Sequence, residues 1–578
     1  MPEANNNIAA LFSRMADILQ ILDANRFKII AFQKAARVLE SITDDVAKLE
    51  KKELLALDGI GKGAADKILE FAQTGQIAEY DELLAEIPNG LISLLDIPTL
   101  GPKTISLLWH QADVTDLASF KKALDSPDTI KIKGIGSKKI ETLKKNLAFA
   151  ETAAKRHLIA PAHLKAVYFI SQLKVLSEVK QATYAGSLRR GKETVGDIDI
   201  LVAADEKHAD KITKHFTSLE PVKDVLVSGK TKTSIRTKLG IQVDLRIVPD
   251  ESFGPALLYF TGSKEHNVRL RERALSLGYS LNEWALTNTK TKKPFKATTE
   301  EAIYKKLDLP FIPPELREDR GEIDAAVAGK LPNLVTVQDI QSDLHAHTHA
   351  SDGSMSIREL AGLAYDRGFH TIAVTDHSKS QVQAHGLDNR RLEQHIKDVH
   401  AVRDEMQGKI NVLAGSEVDI LSDGKLDYPD SLLKELDIVV ASPHAALAQD
   451  TKKCTARLLK AIENPYVHII GHPTGRLVGR REGFYPDFPE IFKAVVDRGI
   501  ALEINANHHR LDLRDIHARA AIDAGCLLAI NTDTHHPNNF SELQYGVLTA
   551  RRAWAEPKHI VNCLSASKLL KWLTSTRP

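Results

Sequence analysis

Beyond residue 338 the sequence alternates short apolar segments with helical ones, and this alternation restricts the fold more than any other feature. The apolar segments read TIAVTDH, INVLAGSEVDI, DIVVASPH, VHIIGHP, IALEINAN and LLAINTDTH. Strands that alternate with helices indicate a parallel sheet surrounded by helices, and a barrel is one such arrangement. Nearly every strand ends in His, Glu or Asp, and in such folds the carboxyl ends of the strands carry the chemistry. We therefore expect a separate α/β domain with its reactive groups at one end.

The histidine and acidic residues at these strand ends form a candidate metal site. In DLHAHTHASDG, at 343–353, His345 and His347 occupy alternate positions of a strand and can reach one ion. The further candidate ligands are Asp352, His377, Glu417, His444, His472, Asp533 and His535. A lone histidine is more often structural, but recurrence at successive strand ends favours metal binding. Imidazole and carboxylate groups without thiolate suit Zn²⁺, Mn²⁺ or Fe²⁺, and so large a set implies several ions that activate a hydroxide and neutralise a phosphate.

Other polar residues near these strand ends are harder to interpret. We take His349, His508 and His509 to be surface or supporting residues. Arg476 and Arg510 follow metal-bearing strands and could hold a substrate phosphate, but they could equally be ordinary surface arginines. Both interpretations stay open at the level of sequence.

Two aspartates on one strand are the most specific signal in the first half of the chain. In AGSLRRGKETVGDIDIL, at 185–201, Asp197 and Asp199 alternate, so both carboxylates face the same side of a sheet. Asp244 lies on a second apolar strand and can complete the set. Carboxylates on one face repel each other unless a divalent cation sits between them, which favours hard Mg²⁺ over the alternative of solvated aspartates. Three carboxylates can hold two ions for a phosphoryl transfer.

Residues 8–150 read as short helices and contain a repeated turn at 57–68, 97–108 and 132–143. Each copy places glycine between two helical segments, followed by lysine. Backbone N–H groups of such turns, together with helix amino termini, can grip a phosphate. One copy would be an ordinary helix–turn–helix connection, but three copies favour sequence-independent binding of a DNA backbone. The glycines concerned are Gly59, Gly61, Gly101, Gly134 and Gly136.

Composition excludes several other classes of protein. A length of 578 residues implies several domains, and the net charge of +1 means that nucleic-acid binding would depend on local patches. The three cysteines are widely separated, so they form neither a disulfide framework nor a paired-cysteine metal site. The sequence shows no signal peptide and no apolar run long enough to cross a membrane. We expect a cytoplasmic, nucleoid-associated protein.

The aspartate segment, VDLR around Asp244 and LYFTGSKEHN at 258–267 together resemble the palm and thumb of family X DNA polymerases, the polymerase beta-like family. By that resemblance Asp197, Asp199 and Asp244 bind two Mg²⁺ or Mn²⁺ ions, and Asp244 helps to activate the primer 3′-hydroxyl. The positions that would contact the triphosphate are Gly186, Ser187, Arg190 and Gly196. Those that would contact the sugar, the base or the template are Tyr259, Phe260, Gly262, Asn267 and Arg271, while Arg246 follows the family pattern after the third carboxylate.

The amino-terminal region resembles the lyase domain of the same family. The lysine that attacks an abasic sugar corresponds to Lys67, in AADKILEF. Lys28 and Phe32 stand where the family has a phosphate-binding lysine and a tyrosine, so the tyrosine hydroxyl is missing here. Gly63 stands where a second lysine can occur. A lysine on a helix surface is also common without any such role.

The histidine-rich region resembles the polymerase-and-histidinol-phosphatase (PHP) domain, a distorted (β/α)7-type barrel that often binds three ions, here Mn²⁺ or Zn²⁺. By that resemblance His345, His347, Glu417 and Asp533 hold one ion. Glu417 would bridge to a second ion shared with His444 and His472. The third ion would be held by Asp352, His377 and His535.

The whole chain is therefore expected to be a multidomain α/β protein with an all-α helix-hairpin-helix region, an α+β palm and thumb, and a barrel. The stretch 288–336 has little periodicity and contains five prolines, so it is interpreted as a linker. The expected domains are a lyase-like domain at 1–85, a fingers-like domain at 86–158, a palm at 159–252, a thumb at 253–318, a linker at 319–338 and a PHP domain at 339–578.

The resemblance implies a monomeric DNA polymerase that fills short gaps in repair. It would take gapped or nicked DNA with a 3′-hydroxyl primer and deoxynucleoside triphosphates. The PHP domain would supply 3′–5′ exonuclease activity, and incision at abasic sites or removal of 3′-phosphates are further activities to consider. Two alternatives remain: a PHP nuclease whose first half only binds DNA, and a small-molecule phosphatase joined to a nucleotidyltransferase. The intact carboxylates argue against the first and the three hairpins against the second.

Overall fold

The computed structural model describes residues 3–41, 46–57, 59–95, 97, 100–126, 128, 132, 134–137, 139–144, 147 and 156–577. The chain divides into two compact units, Met1–Ala154 with Gly479–Arg481, and Lys155–Val478 with Glu482–Pro578. Within the described residues no helix is long and apolar enough to cross a membrane.

The first unit is helical, as predicted. Its core is formed by apolar side chains at helical spacing, such as Ile8, Phe12, Met15 and Ile18, which are buried. The helices are α1 (Glu3–Ile21), α2 (Arg26–Ser41), α3 (Lys51–Ala56), α4 (Lys62–Thr74), α5 (Ala78–Ala85), α6 (Gly90–Leu94), α7 (Pro102–Ala112) and α8 (Leu117–Asp125).

Two of the repeated turns lead directly into helices. Gly61 precedes α4 and Gly101 precedes α7, and neither caps its helix with a side chain, so the first-turn N–H groups lack a side-chain acceptor from this position. Gly59 and Gly134 have φ of 100° and 94°, a backbone conformation that favours glycine. Of the lysines that follow these turns, Lys138 lies outside the described residues.

The second unit begins with a five-stranded sheet in the order β2–β4–β7–β6–β5. The apolar residues of its central strands pack against α9 and α11 on one face and α12 on the other. The elements are β1 (His157–Leu158), α9 (Ile159–Leu173), β2 (Gln181–Tyr184), α10 (Gly186–Arg189), β3 (Thr194–Val195), β4 (Asp197–Ala203), α11 (Ala209–Thr217), β5 (Val222–Ser228), β6 (Lys232–Thr237), β7 (Gln242–Val248) and α12 (Phe253–Thr261).

The proline-rich stretch 288–336 is folded, so the expectation of a linker throughout it is wrong. Its apolar residues, including Ile303, Leu307 and Ile312, are buried in a small core with α13 and a three-stranded antiparallel sheet. The prolines lie at the start of short elements or between them, and they do not prevent this packing. The elements are α13 (Lys264–Ser276), β8 (Tyr279–Leu281), β9 (Leu286–Asn288), β10 (Pro294–Phe295), α14 (Glu300–Lys306) and α15 (Glu322–Val327).

The predicted barrel is confirmed as seven parallel strands in sequence order, β11 to β17. A bridge between Ala346 and Thr534 brings the first and last strands together and nearly closes the sheet. The strands are β11 (Ser342–Asp343), β12 (Thr371–Val374), β13 (Asn411–Asp419), β14 (Ile438–Ser442), β15 (Ile469–Ile470), β16 (Ala501–Asn505) and β17 (Leu527–Asn531).

Helices surround the barrel because each connection between parallel strands needs a crossover. They are α16 (Ile357–Asp366), α17 (Asn389–Glu405), α18 (Asp430–Leu433), α19 (Thr451–Ile462), α20 (Phe488–Arg498), α21 (Asp515–Asp523), α22 (Leu543–Arg552) and α23 (Ala566–Ser575). Trp572 and Leu573 of α23 join an apolar cluster with the strands.

The barrel and the palm share buried surface. Leu511 and Tyr545 of the barrel belong to the same buried apolar cluster as the strands of the palm. Arg476 donates from NH2 to Glu193 of the palm at 2.6 Å and to the carbonyl of Leu511 at 2.6 Å. Arg476 therefore links the two domains. Neither interpretation from the sequence, a phosphate-binding residue or an ordinary surface arginine, fits this position.

Candidate functional site: two metal-competent clusters

The palm brings Asp197, Asp199 and Asp244 together on two adjacent parallel strands. Asp199 of β4 pairs in register with Asp244 of β7, so their side chains share one face of the sheet. One carboxylate oxygen of each of the three residues lies within 4.8 Å of the others. The strand prediction for both segments is confirmed, and this spacing is compatible with divalent cations between the carboxylates.

The electrostatics of this cluster favour a cation. Burial and the charges of Asp197 and Asp244 raise the pKa of Asp199 to about 7, and burial together with Asp244 raises the pKa of Asp197. Burial would also raise the pKa of Asp244, but hydrogen bonds from Lys232 and Gln242 lower it overall. The Lys232 Nζ lies 2.7 Å from Asp244 Oδ2. Lys232 was not singled out from the sequence, since a lysine on a strand carries no distinctive pattern.

A glycine turn lies directly against these carboxylates. A Cβ at Gly186 would lie 2.3 Å from Asp199 Oδ2, and Gly186 has φ of 63°, so only glycine fits the position. The turn continues through Ser187 to Arg190, which donates to the Thr261 carbonyl at 2.5 Å and to Glu318 at 3.0 Å. Gly196 immediately precedes Asp197 at the start of β4.

The remaining palm and thumb residues predicted to contact nucleotide or template lie on β7, near the end of α12 and on α13. The Arg246 guanidinium stacks on Phe260 at 4.3 Å. Tyr259 is exposed, and its carbonyl accepts a hydrogen bond from Asn267 at 2.8 Å. Gly262 is buried with φ of 68°, and Arg271 is exposed on α13. These positions present both an apolar surface and polar groups, but their contacts with a substrate stay predictions.

The candidate lyase lysine lies in the first unit. Lys67 and Lys28 each place Nζ 2.5 Å from a carboxylate oxygen of Glu79, and Lys67 lies 5.9 Å from the ring centroid of Phe32. Burial would raise the pKa of Glu79, but its hydrogen bonds from Lys28 and Lys67 lower it overall. The structure thus brings Lys67, Lys28 and Phe32 together, as the resemblance implied.

In the barrel, the predicted ligands converge at the carboxyl ends of the strands. Groups with mutually close ligand atoms are His345, His347 and Asp533; His377, Glu417 and His444; and His347, Asp352, His377 and His535. Glu417 Oε1 also lies 2.8 Å from His472 Nε2, 3.2 Å from His444 Nε2 and 3.5 Å from His345 Nε2. Every residue predicted from the sequence therefore lies in one connected cluster.

The donor atoms of this cluster fit bound metal ions. His345 Nε2, both ring nitrogens of His347 and His444 Nε2 are buried and have no hydrogen-bond partner among the described residues, although buried polar atoms normally have one. Burial and the nearby imidazoles of His535 and His377 lower the pKa of His347 to about 4, which keeps its lone pairs available to a metal. Burial would raise the pKa of Glu417, but His444, His345 and His377 hold it well below its usual value.

The sequence interpretation missed two carboxylates that orient ligand histidines and a third that holds the loop after His347. Glu503 Oε1 lies 2.8 Å from His345 Nδ1, and its other oxygen accepts from the His472 backbone at 2.7 Å. Asp419 Oδ1 lies 2.7 Å from His444 Nδ1. Asp376 accepts hydrogen bonds from Thr348 and Ser351 in the loop after His347. A carboxylate on the second imidazole nitrogen fixes the ring for metal binding. Glu503 and Asp419 could have been predicted from the sequence, because the segments IALEINAN and GSEVD each place an acidic residue in or at the end of a strand.

The structure also gives the positions of His508, one of the histidines interpreted as supporting residues, and of Arg510. His508 Nδ1 lies 3.0 Å from Glu542 Oε2, outside the ligand groups. Arg510 Nε lies 3.5 Å from Asp533 Oδ2. Arg510 therefore stands beside the cluster, where the phosphate-binding interpretation of the sequence placed it.

Comparisons with known proteins match the domains in which the two clusters lie. Family models match as a helix-hairpin-helix domain at 3–77, a helix-hairpin-helix tandem at 91–148, a DNA polymerase beta palm at 162–251, a DNA polymerase beta thumb at 256–318 and a PHP domain at 343–507.

Relatives match the whole chain or its parts. The chain is 36% identical to the DNA polymerase/3′-5′ exonuclease PolX of Bacillus subtilis over 561 residues, 97% of each chain. It is 25% identical to rat DNA polymerase lambda over 51% of this chain and 53% of that one. A probable phosphatase of Thermoanaerobacter is 31% identical over 33% of this chain and 78% of its own length. Coverage of nearly the full length by the first of these relatives, together with the domain matches, shows that the chain belongs to the family X DNA polymerases that carry a PHP domain.

Proposed function

We propose that this chain is a DNA-directed DNA polymerase that also removes nucleotides from 3′ ends, with each activity in its own cluster. The observation that carries the first assignment is the register of Asp199 with Asp244 beside the Gly186 turn. The second rests on the buried imidazole nitrogens of the barrel that have no hydrogen-bond partner. The Bacillus relative is named for both activities.

In the palm, we propose that Asp197, Asp199 and Asp244 hold two Mg²⁺ or Mn²⁺ ions. Bound divalent ions would neutralise phosphate charge and favour ionisation of an attacking oxygen. Asp244 would accept the proton of the primer 3′-hydroxyl, and Lys232 Nζ, 2.7 Å from Asp244 Oδ2, would first have to move away. The 3′-oxygen forms a bond to the α-phosphorus as the bond to pyrophosphate breaks. The turn from Gly186 to Arg190 holds the triphosphate in line.

In the barrel, we propose three Mn²⁺ or Zn²⁺ ions. The ligand sets are those implied by the resemblance, with Glu417 between two of the ions. Glu503 and Asp419 keep His345 and His444 oriented. Arg510 would hold the phosphate of the 3′-terminal nucleotide.

The substrate is proposed to be gapped or nicked DNA in repair, bound by a monomer in the nucleoid of the cytoplasm. The glycine turns at Gly59, Gly61, Gly101, Gly134 and Gly136 would hold the DNA backbone without reading its sequence. Binding should therefore weaken steeply with salt.

The experiment that tests this assignment follows a 5′-labelled primer in a gap with Mn²⁺, with and without deoxynucleotides. We expect Asp244→Ala to abolish extension but retain shortening. The variant with both His345→Ala and His347→Ala should do the reverse. Extension by Asp244→Ala at the wild-type rate would support a nuclease with a non-polymerising first half. Shortening that survives both histidine changes would refute the assignment of the barrel.

Two further activities have a specific observation in their favour. The barrel matches a probable phosphatase, so removal of a 3′-phosphate is proposed as a second barrel activity, to be tested on a 3′-phosphorylated primer. The grouping of Lys67 with Lys28 and Phe32 supports a lyase. Borohydride trapping on abasic DNA should be lost in Lys67→Ala and retained in the neighbouring Lys62→Ala.

A further inference from the structure

The turn proposed to hold the triphosphate, residues 186–192, lies against α22 of the barrel. Gly191 has φ of 66°, and a Cβ there would lie 3.2 Å from Leu548 Cβ of that helix. Arg552, at the end of the same helix, donates to the carbonyl of Arg190 at 2.8 Å. The nuclease domain thus contacts the backbone of the polymerase turn directly.

Glu318 is the residue on which the charged contacts of this turn converge. Its Oε1 accepts hydrogen bonds from Arg190 Nε at 3.0 Å and from Arg552 NH1 at 2.9 Å. Its Oε2 lies 3.3 Å from Lys192 Nζ. Two of these cations belong to the turn and the third belongs to the barrel, so one carboxylate links the two domains.

Asp515 completes the cluster. Its Oδ2 accepts from Arg552 at 2.8 Å and 3.1 Å and from Arg320 at 3.1 Å. Arg552 is only 4% exposed, and its guanidinium donates to Glu318, to Asp515 and to the backbone of Arg190. A guanidinium held by several partners in a fixed plane is a pre-organised charge.

We propose that Glu318 competes with the nucleotide for Arg190, and that Arg552 limits this competition by neutralising Glu318. This inference rests on the proposed function, because it takes Arg190 as a contact of the triphosphate. Arg190 donates to Glu318, so a bound phosphate must replace or share that bond. A buried carboxylate without a partner would be costly. Glu318 avoids this cost when Arg190 turns away, because it stays paired with Arg552 and Lys192. The nuclease domain thereby sets the nucleotide affinity of the polymerase.

The two residues should have opposite effects. Glu318→Gln keeps the size of the side chain but removes the competing charge, so the KM for the nucleotide should fall about tenfold. Arg552→Met leaves Glu318 to Arg190 and Lys192, so the KM should rise by about the same factor while kcat changes less. In the variant with both changes the KM should match that of Glu318→Gln, because no competing charge remains.

The experiment measures KM and kcat for insertion of one nucleotide into gapped DNA by the full-length variants. Arg551→Met is the matched control, since Arg551 is the neighbour on α22 and pairs at 2.7 Å with Glu315, outside the cluster. Its KM should stay within about twofold of the wild type. The rate of 3′ shortening, measured on the same DNA, reports whether each variant folds.

Opposite shifts in KM with unchanged shortening would support the proposal. Shifts in the same direction, no shift, or parallel loss of both activities would overturn it, because a purely structural role predicts those results. Arg190→Met tests the role of Arg190 separately from the assignment of the palm as a polymerase. If this variant still extends the primer with an unchanged nucleotide KM, the role of Arg190 and this inference fail but the polymerase assignment stands. Loss of the polymerase assignment would instead show as extension by Asp244→Ala.

Discussion

The palm gathers three carboxylates with Lys232 as the cation nearest to Asp244, whereas the barrel surrounds its carboxylates with imidazoles. In the palm, burial and the neighbouring carboxylates raise the pKa of Asp197 and raise that of Asp199 to about 7. In the barrel the surrounding histidines hold the pKa of Glu417 well below its usual value. The palm carboxylates therefore lack sufficient positive charge without added cations, whereas the Glu417 carboxylate of the barrel is stabilised by the imidazoles around it.

The largest expected effect concerns two carboxylates of the barrel site, the buried Glu417 and the partly exposed Asp352. Glu417→Gln removes the carboxylate that lies near five imidazoles, and we expect 3′ shortening to fall by about a thousandfold or more. Asp352→Asn changes a carboxylate whose side chain is 32% exposed, so its loss should be smaller, about ten- to a hundredfold. Single-turnover shortening rates check the order. Equal losses would contradict a site organised around Glu417.

The second prediction compares the stability of the two sites without metal. Asp199→Asn removes repulsion among like charges, so it should raise the stability of the chelator-treated protein by about 1–2 kcal/mol. Glu417→Gln leaves the buried imidazoles without their carboxylate and should lower stability by about 3–5 kcal/mol. Thermal unfolding in the presence of a chelator measures both. Two changes of the same sign would contradict the difference between the sites.

The smallest expected effect concerns the ion pair that joins the two regions. Arg476 lies four positions after His472, and its partner Glu193 lies four positions before Asp197, so one ion pair connects the loops of both sites. Arg476→Met should lower stability by only about 1–2 kcal/mol, because the buried carbonyl of Leu511 loses a donor while Glu193 keeps Arg514 at 3.6 Å. Thermal unfolding tests this, with the exposed Arg358→Met as control. A larger loss of stability, or loss of metal binding at either site, would show that the two sites depend on the ion pair of Arg476 with Glu193.

The sequence predicted both clusters because their residues follow local rules. Alternation on one strand places Asp197 and Asp199 on one face, and parallel strands bring their carboxyl ends together, so the ligands of the barrel were predictable one by one. The contacts of Glu318 were not, because they join residues more than a hundred positions apart. The same is true of Arg476, whose partner lies in another domain.

The stretch 288–336 shows where periodicity fails. Its elements are short, so few apolar residues repeat on any face of a helix or strand. Its core nevertheless forms because Ile303, Tyr304 and Leu307 pack against α13 from a distant part of the chain. Long-range packing of this kind leaves little trace in a local pattern.

The most direct test of two separate sites on one chain uses a gapped primer that ends in a dideoxynucleotide. Such a primer can be extended only after its terminal nucleotide has been removed. We predict that neither Asp244→Ala nor the variant with His345→Ala and His347→Ala yields full-length product alone, and that an equimolar mixture of the two does. Full-length product from either variant alone, or none from the mixture while each keeps its remaining activity, would contradict the assignment of cutting and extension to separate clusters.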